Sequence, residues 1–88
     1  MNLVFSAHAW EDYQHWCETD RKTLLRLNKL IEECRRHPFK GSGKPEPLRG
    51  ELAGFWSRRI NQRDRLVYRV VGKDGAQQLE IAQCREHY

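Results

Sequence analysis

The sequence predicts an α+β fold in which two helices near the N-terminus pack on one face of a small antiparallel β-sheet, in the order β-α-α-β-β-β. Three observations lead to this prediction. Apolar residues before residue 37 recur at three- and four-residue steps, the spacing of amphipathic helices. Three strand-like runs follow from residue 54 onward, separated by turn-forming stretches. The length suits one domain, so a single domain is expected over residues 1–88.

The first predicted elements are a strand and a helix. The apolar run NLVF is typical of a short strand, and Ser6 after it is a common helix N-cap residue. Several side chains then recur on one side of the helix and are interpreted as core: Trp10, Tyr13, Trp16 and Cys17. The stretch ETD ends this helix, and Thr19 or Asp20 is expected to cap the next one.

The second helix carries an apolar stripe that is also interpreted as core: Leu24, Leu27, Leu30, Ile31 and Cys34. Pro38 ends this helix, because the residue before a proline disfavours the helical conformation. The stretch KGSGKPEP at 40–47 is rich in Gly and Pro and is predicted to be an extended loop. It lacks the GK[ST] ending of a nucleotide-binding phosphate loop.

Strands are predicted at FWSRRI, RLVYRVV and QLEIAQC, with turns at NQRD and GKDGAQ. If the second turn is centred on its Asp-Gly pair, Arg65 lies opposite Cys84 or Arg85. His87 then lies about 7 Å of strand rise further along. The C-terminal residues are therefore expected at the same end of the sheet as Arg65.

The first turn brings further charged residues to this region. A hairpin folded about NQRD is expected to pair Ile60 with Arg65 and to bring Arg59 nearby. The extended stretch KPEPL runs up to the first of these strands, so Glu46 can reach the same region.

Composition is typical of a globular protein, with 39% hydrophobic and 32% charged residues. The first ten residues show no basic leader and no long apolar stretch, so a cytoplasmic protein without a membrane span is expected. The three cysteines lack a CxxC spacing and are interpreted as buried reduced thiols: Cys17, Cys34 and Cys84. The histidines are scattered, so neither a metal nor another cofactor is expected.

Positive charge is concentrated in the middle of the chain. Residues 35–69 hold ten Lys and Arg against three Asp and Glu, a net charge of +7, whereas the whole chain carries +4. Such a block favours a polyanionic partner, either a nucleic acid or the acidic face of a protein. The alternative is a solvated surface on which Lys and Arg only maintain solubility.

Acid–base side chains accompany this basic block. RNA cleavage without a metal requires a base for the 2′-hydroxyl, an acid for the leaving 5′-oxygen and cations for the phosphorane. Glu46 is the candidate base and His87 the candidate acid, while Arg59 and Arg65 are the cations and Tyr88 can stack or hydrogen-bond. The alternative is a solvated loop carboxylate and an incidental C-terminal tail.

Several motifs resemble those of one known family. GKPEPL at 43–48, GFWSRRI at 54–60, RLVY at 65–68, CREHY at the C-terminus, and WEDYQHW and ETD near the N-terminus are similar to the YoeB toxins of the RelE superfamily. The resemblance implies ribosome-dependent mRNA cleavage in the decoding site, and a two-helix, antiparallel-sheet fold. It also implies neutralisation by a YefM-like antitoxin, a possible homodimer, contact with the 70S ribosome and mRNA, and operator DNA binding through the antitoxin complex.

The resemblance also assigns roles to residues. The implied catalytic residues are Glu46, Arg65, His87 and Tyr88. The implied RNA- or phosphate-binding residues are Lys44, Arg49, Arg58 and Arg59. The chain departs from the family pattern in a longer GKDGAQ stretch, in Arg49, which stands where the family has Lys, and in Asp64, which stands where it has His. Asp64 is expected to place a negative charge beside Arg65 and to weaken RNA affinity or tune that arginine.

A non-catalytic module that binds RNA or DNA, or acts as a co-repressor with a partner, is the competing hypothesis. Such a module would use the same basic block and show steep salt dependence. It would tolerate substitution of Glu46, which phosphate binding does not need.

Overall fold

The computed structural model describes residues 1–88 as two helices packed on a five-stranded sheet. The sheet order is β1-β5-β4-β3-β2. The elements are β1 (Asn2–Phe5), α1 (Ala7–Thr19), α2 (Arg21–Arg36), β2 (Glu46–Pro47), a short 3₁₀ turn (Gly50–Leu52), β3 (Trp56–Arg59), β4 (Arg65–Val71) and β5 (Gln78–Gln83). Neither helix has the length and apolarity that crossing a membrane requires.

The α+β prediction is confirmed, and the structure adds the direction of the first strand. β3, β4 and β5 pair antiparallel as expected. The end of the predicted loop 40–47 forms a further short strand, β2, which pairs antiparallel with β3. β1 instead pairs parallel with β5, from Asn2 opposite Gln78 to Phe5 opposite Ile81. The sheet is therefore mixed. Four apolar residues indicate a strand but not the direction of its partner, which depends on contacts more than 70 residues apart in the chain.

Side-chain caps define the helix boundaries where the sequence predicts them. The hydroxyl oxygen of Ser6 accepts the Ala9 N–H at 3.0 Å, and Asp20 accepts the Thr23 N–H at 3.0 Å. That N–H bond, with the Thr23 hydroxyl, lowers the pKa of the Asp20 carboxyl. α2 ends at Arg36, close before Pro38.

The core confirms the stripe of α2 and corrects that of α1. α2 buries Leu27, Leu30, Ile31 and Cys34 against sheet residues Leu66, Tyr68, Leu79 and Ile81. In α1 the prediction is confirmed for Trp16, which is buried, and Tyr13 packs partly buried against the core. Ala9 and Asp12 are buried in place of Trp10, which is 49% exposed. Cys17 is also exposed, so the prediction of three buried thiols is wrong for this residue. Periodicity rules place an Asp on the solvent side of a helix. Because Asp12 is buried, the buried face of α1 is rotated relative to the predicted one.

The two hairpins set the register of the sheet. Arg65 pairs with Arg59, one residue from the predicted partner Ile60, whose N–H instead bonds Asp64 O at 3.0 Å in the turn. In the second hairpin the register shifts at a bulge between Val67 and Tyr68. Arg65 N–H then donates to Glu86 O at 3.0 Å, so the predicted pairing with Arg85 holds to within one residue.

Neighbouring residues of β3 and β4 face opposite sides of the sheet. Arg58 lies opposite Leu66 on the side covered by the helices, whereas Ser57 lies opposite Val67 on the other side, here called the open face. Arg59 and its partner Arg65 are on the open face, because they are two residues from Ser57 and Val67.

Arg58 is a structural residue and not a phosphate contact, which corrects its predicted RNA-binding role. It is 0% exposed, so no external phosphate reaches its guanidinium group. Nε donates to the Tyr68 hydroxyl at 3.1 Å, and Nη1 and Nη2 donate to Glu33 and to the carbonyl oxygens of the loop after α2: His37, Lys40 and Ser42. Arg58 therefore fastens that loop to the sheet.

We expect Arg58→Met to lower the free energy of unfolding by about 3 kcal/mol, because it leaves loop carbonyls and Glu33 without their buried donor. Urea denaturation measures the change. The matched control is Arg59→Met, an exposed neighbour, whose effect is expected to stay within about 0.5 kcal/mol. Equal stability of the two variants would contradict the structural role of Arg58.

Candidate active site on the open face

Glu46 and Tyr88 both lie beside Ser57 on the open face. Glu46 pairs directly with Ser57 across β2 and β3, and such opposed residues of antiparallel strands share one face. The Tyr88 hydroxyl lies 3.4 Å from the Ser57 hydroxyl. Ser57 is 2% exposed and Val67 1%, although both face away from the helices, which fits a C-terminal segment lying across this face.

Arg59 and Arg65 form a cationic pair beside this group. Arg59 is exposed, and Arg65 is partly buried with Nη1 donating to Asn61 O at 2.9 Å and Asp64 O at 3.1 Å. Two backbone carbonyls thereby fix one side of the Arg65 guanidinium group. The pair provides two positive charges on adjacent strands, an arrangement that suits a phosphate.

The predicted residues of the 40–47 loop lie along the edge of β3. The Arg59 N–H donates to Gly43 O at 2.7 Å, which brings Lys44 next to this arginine. Gly43 has a φ of 81°, and a Cβ there would lie 3.0 Å from Arg59 O, so the loop requires glycine for this approach. Arg49 is exposed at the start of the 3₁₀ turn, three residues beyond Glu46.

His87 is exposed and packs on its neighbour Tyr88. The ring centroids are 4.6 Å apart, and Nδ1 lies 3.0 Å from a backbone oxygen of Tyr88. With Nδ1 engaged, Nε2 is the nitrogen available to exchange a proton. The structure thus places Glu46, Arg59, Arg65 and the Tyr88 hydroxyl on the open face, and the His87 ring packs against Tyr88.

Two buried carboxylates hold the C-terminal segment, defined here as residues 84–88. Asp12 Oδ2 accepts the Cys84 N–H at 3.0 Å, and Trp16 Nε1 donates to Cys84 O at 2.8 Å. Asp64 Oδ1 accepts the Glu86 N–H at 2.6 Å. The segment has left the sheet at this point, so these side chains replace the strand partners that its backbone would otherwise need.

The sequence-based reading of Asp64 is corrected by its burial. Its side chain points inward, at 5% exposure, with Oδ1 on Glu86 and Oδ2 accepting from Asn61 Nδ2 at 2.9 Å. It does not face solvent beside the Arg65 guanidinium group. Sequence reasoning did not identify Asp12, Trp16 or Asn61 as supports of the site. The one available signal was an Asp within the apolar side of α1.

The thiols and possible metal ligands do not form a second site. Burial, with Asp12 nearby, raises the pKa of the Cys84 thiol to about 12, and burial raises that of Cys34 to about 11. No group of three or more His, Cys, Asp and Glu side chains has the proximity to hold a metal ion.

The fold and this site define a small basic α+β protein that gathers carboxylate, imidazole, phenol and guanidinium groups on one open sheet face. Over residues 5–88 the chain matches the family described as the YoeB-like toxin of bacterial type II toxin-antitoxin systems. The chain belongs to this family. Toxin YoeB of Streptomyces coelicolor is 54% identical over 88 residues, covering 100% of both chains.

Solved structures of related toxins have the same fold. The YoeB/ParE toxin from Agrobacterium tumefaciens matches with a TM-score of 0.98 at 50% identity, covering 100% of both chains. YoeB from Staphylococcus aureus has been solved as a dimer (TM-score 0.88, 39% identity) and in a heterotetrameric YoeB-YefM toxin-antitoxin complex (TM-score 0.86, 40% identity). Each of the two covers 100% of this chain and 98% of the other.

We expect one thiol of the native protein to react quickly with Ellman's reagent at mildly alkaline pH. Cys17 is exposed, whereas Cys34 and Cys84 are buried and stay protonated because their pKa values are raised. All three thiols should react once guanidinium unfolds the chain. The control Cys17→Ser should abolish the fast phase. A fast reaction in that variant would show that Cys34 or Cys84 is not buried as described.

Proposed function

We propose that this toxin is a ribosome-dependent endoribonuclease that cleaves mRNA in the ribosomal A site without a metal and so inhibits translation. One observation carries the proposal. Glu46 and Tyr88 both lie beside Ser57, and the Arg59–Arg65 pair lies two residues along β3 and β4 from Ser57 and its partner Val67. Two residues of strand span about 7 Å, and an arginine side chain is long enough to reach across that distance to a phosphate beside the Glu46 carboxylate.

The proposed reaction is an internal phosphoryl transfer. The Glu46 carboxylate takes the proton of the 2′-hydroxyl, whose oxygen attacks the adjacent 3′-phosphate. The bond from phosphorus to the 5′-oxygen breaks, and the His87 imidazolium gives this leaving oxygen a proton. Arg65, assisted by Arg59, stabilises the additional negative charge of the phosphorane. The products are a 2′,3′-cyclic phosphate and a free 5′-hydroxyl.

Tyr88 and the remaining basic residues are assigned to RNA binding. The Tyr88 ring is 42% exposed and can stack on a base, while its hydroxyl lies near Ser57 and can donate to a phosphate. Lys44 and Arg49 are exposed near Glu46 and can contact the RNA backbone.

The shape of the site supports a requirement for the ribosome. None of the three cavities in the structure is lined by Glu46, Arg65 or His87. An open surface does not by itself hold a flexible RNA with its 2′-hydroxyl in line with the scissile bond. An external scaffold that fixes the mRNA supplies this alignment, which is the role proposed for the 70S ribosome.

The proposed partners follow from charge and from the relatives. The block 35–69, with a net charge of +7, suits an acidic segment of a protein partner. A YefM-like antitoxin is proposed as this partner because the S. aureus relative has been solved in a YoeB-YefM toxin-antitoxin complex. Operator DNA would be bound through that complex. A homodimer is proposed from the S. aureus dimer. A translation inhibitor of this kind acts in the cytoplasm.

We expect His87→Gln and Glu46→Gln each to reduce ribosome-dependent cleavage of a defined mRNA at least about 100-fold, because each removes a proton-transfer group. Primer extension with and without programmed ribosomes measures the cleavage. Both residues are exposed, so circular dichroism and the melting temperature should stay unchanged.

The matched controls are His37→Gln and Glu51→Gln, which replace an exposed imidazole and an exposed carboxylate outside the site and should cleave as wild type. Full activity in His87→Gln or Glu46→Gln would overturn the assigned roles. If wild type binds ribosomes but never cleaves, the non-catalytic binding module becomes the better description.

We expect antitoxin binding to cover or distort the site around Arg65 and His87. The basic block 35–69 carries a net charge of +7 and the C-terminal residues are exposed, so both offer contacts to an acidic segment. Hydrogen exchange of the toxin, free and bound to its antitoxin, should change in residues 61–65 and 85–88. Unchanged exchange in both stretches, with changes only elsewhere, would contradict this mode of inhibition.

A further inference from the structure

Asp64 lies between two residues of the proposed site in the folded chain. Arg65 follows Asp64 directly in the chain. Asp64 Oδ1 accepts the N–H of Glu86, which precedes His87. The other oxygen, Oδ2, accepts from Asn61 Nδ2 at 2.9 Å. The buried Asp64 carboxylate therefore links two parts of the proposed site. It is next to Arg65 in the chain, and it binds the backbone immediately before His87.

We propose that Asp64 is a positioning residue that fixes His87 relative to Arg65. The inference rests on the proposed nuclease function, and it assigns Asp64 no contact with RNA. It replaces the sequence-based expectation that this negative charge weakens RNA affinity.

The chemistry of a carboxylate suits this task. An ionised Asp accepts on both oxygens at once, so it can hold the Glu86 N–H and the Asn61 amide together. The 2.6 Å contact with Glu86 is short, as is typical of a bond to a charged acceptor. The same residue is also bound through its carbonyl, because Glu86 O accepts the Arg65 N–H at 3.0 Å.

Glu86 also has a backbone conformation that needs external support. Its φ is 65°, in the left-handed region that costs a non-glycine residue about 1 kcal/mol or more. The chain turns here so that Tyr88 returns to Ser57 on the open face. Without the Asp64 contact, only the Arg65 N–H bond to Glu86 O opposes relaxation to an extended conformation, and that relaxation would move His87 and Tyr88 away from that face.

The other anchor of the segment does not duplicate this contact. Asp12 and Trp16 bind the backbone of Cys84, two residues before Glu86. A pivot at Cys84 leaves His87 three residues away, and three residues of extended chain span about 10 Å. The first anchor therefore docks the segment on α1, and Asp64 sets its direction.

The test compares Asp64→Ala, Asp64→Asn and the control Asp74→Ala, which removes an exposed carboxylate in the β4–β5 turn. Hydrogen exchange of the Glu86 amide, followed by NMR on the free protein, reports the contact without requiring activity. Single-turnover cleavage on programmed ribosomes separates the rate of the chemical step from the affinity for ribosomes.

The expected result is faster exchange at Glu86 and a chemical rate about 10- to 100-fold lower in Asp64→Ala, with ribosome affinity unchanged within about threefold. Asp64→Asn keeps an oxygen acceptor for the Glu86 N–H and should recover most of the rate. Asp74→Ala should match wild type in both measurements. The melting temperature of each variant shows whether the fold is retained.

Three results would overturn the proposal. Unchanged exchange at Glu86 in Asp64→Ala would show that the carboxylate does not hold the segment. Faster exchange with an unchanged chemical rate would show that it holds the segment without positioning His87. A loss of cleavage explained entirely by weaker affinity for ribosomes would show that Asp64 acts in ribosome binding and not in positioning His87. If wild type itself does not cleave, the proposed function fails, and the exchange measurement still decides whether Asp64 fastens residue 86.

Discussion

The structure depends on two buried aspartates that hold a segment outside the sheet. Asp12 and Asp64 accept the backbone N–H groups of Cys84 and Glu86, at 3.0 Å and 2.6 Å. Hydrogen bonds to charged groups contribute about 1.5–3 kcal/mol each. Together with the Arg65 N–H bond to Glu86 O, they offset part of the entropy lost when residues 84–88 are ordered. Because this segment carries His87 and Tyr88, the same bonds that complete the fold also assemble the site.

Arg58 and Arg59 show how the sheet divides one run of charge between two tasks. The two residues are adjacent, yet Arg58 is 0% exposed beneath the helices and Arg59 is exposed on the open face. The buried arginine holds the loop that carries Gly43, and the Gly43 carbonyl in turn bonds the Arg59 N–H. β3 therefore has two roles, because Arg58 stabilises the loop after α2 and Arg59 supplies a cation on the open face.

The sequence predicted most of the fold, because periodicity, caps and turn residues are local signals. Ser6, Asp20 and the stripe of α2 lie where those signals place them. The parallel direction of β1 and the rotated face of α1 were not predictable, since both depend on distant contacts. In the site, the motifs identified the residues on the open face, but the burial of Asp12 and Asp64 was not predicted because an isolated Asp is ordinarily interpreted as solvated.

The β4–β5 turn is at the far end of the sheet from the site, and this has a practical consequence for labelling. β4 runs from Arg65 to Val71, so about 20 Å separates the cationic pair from the exposed residues 72–76. A fluorophore or a short epitope inserted in that turn would leave the chemistry undisturbed. The same addition after Tyr88 would emerge beside Ser57 and obstruct the open face, where the proposed site lies.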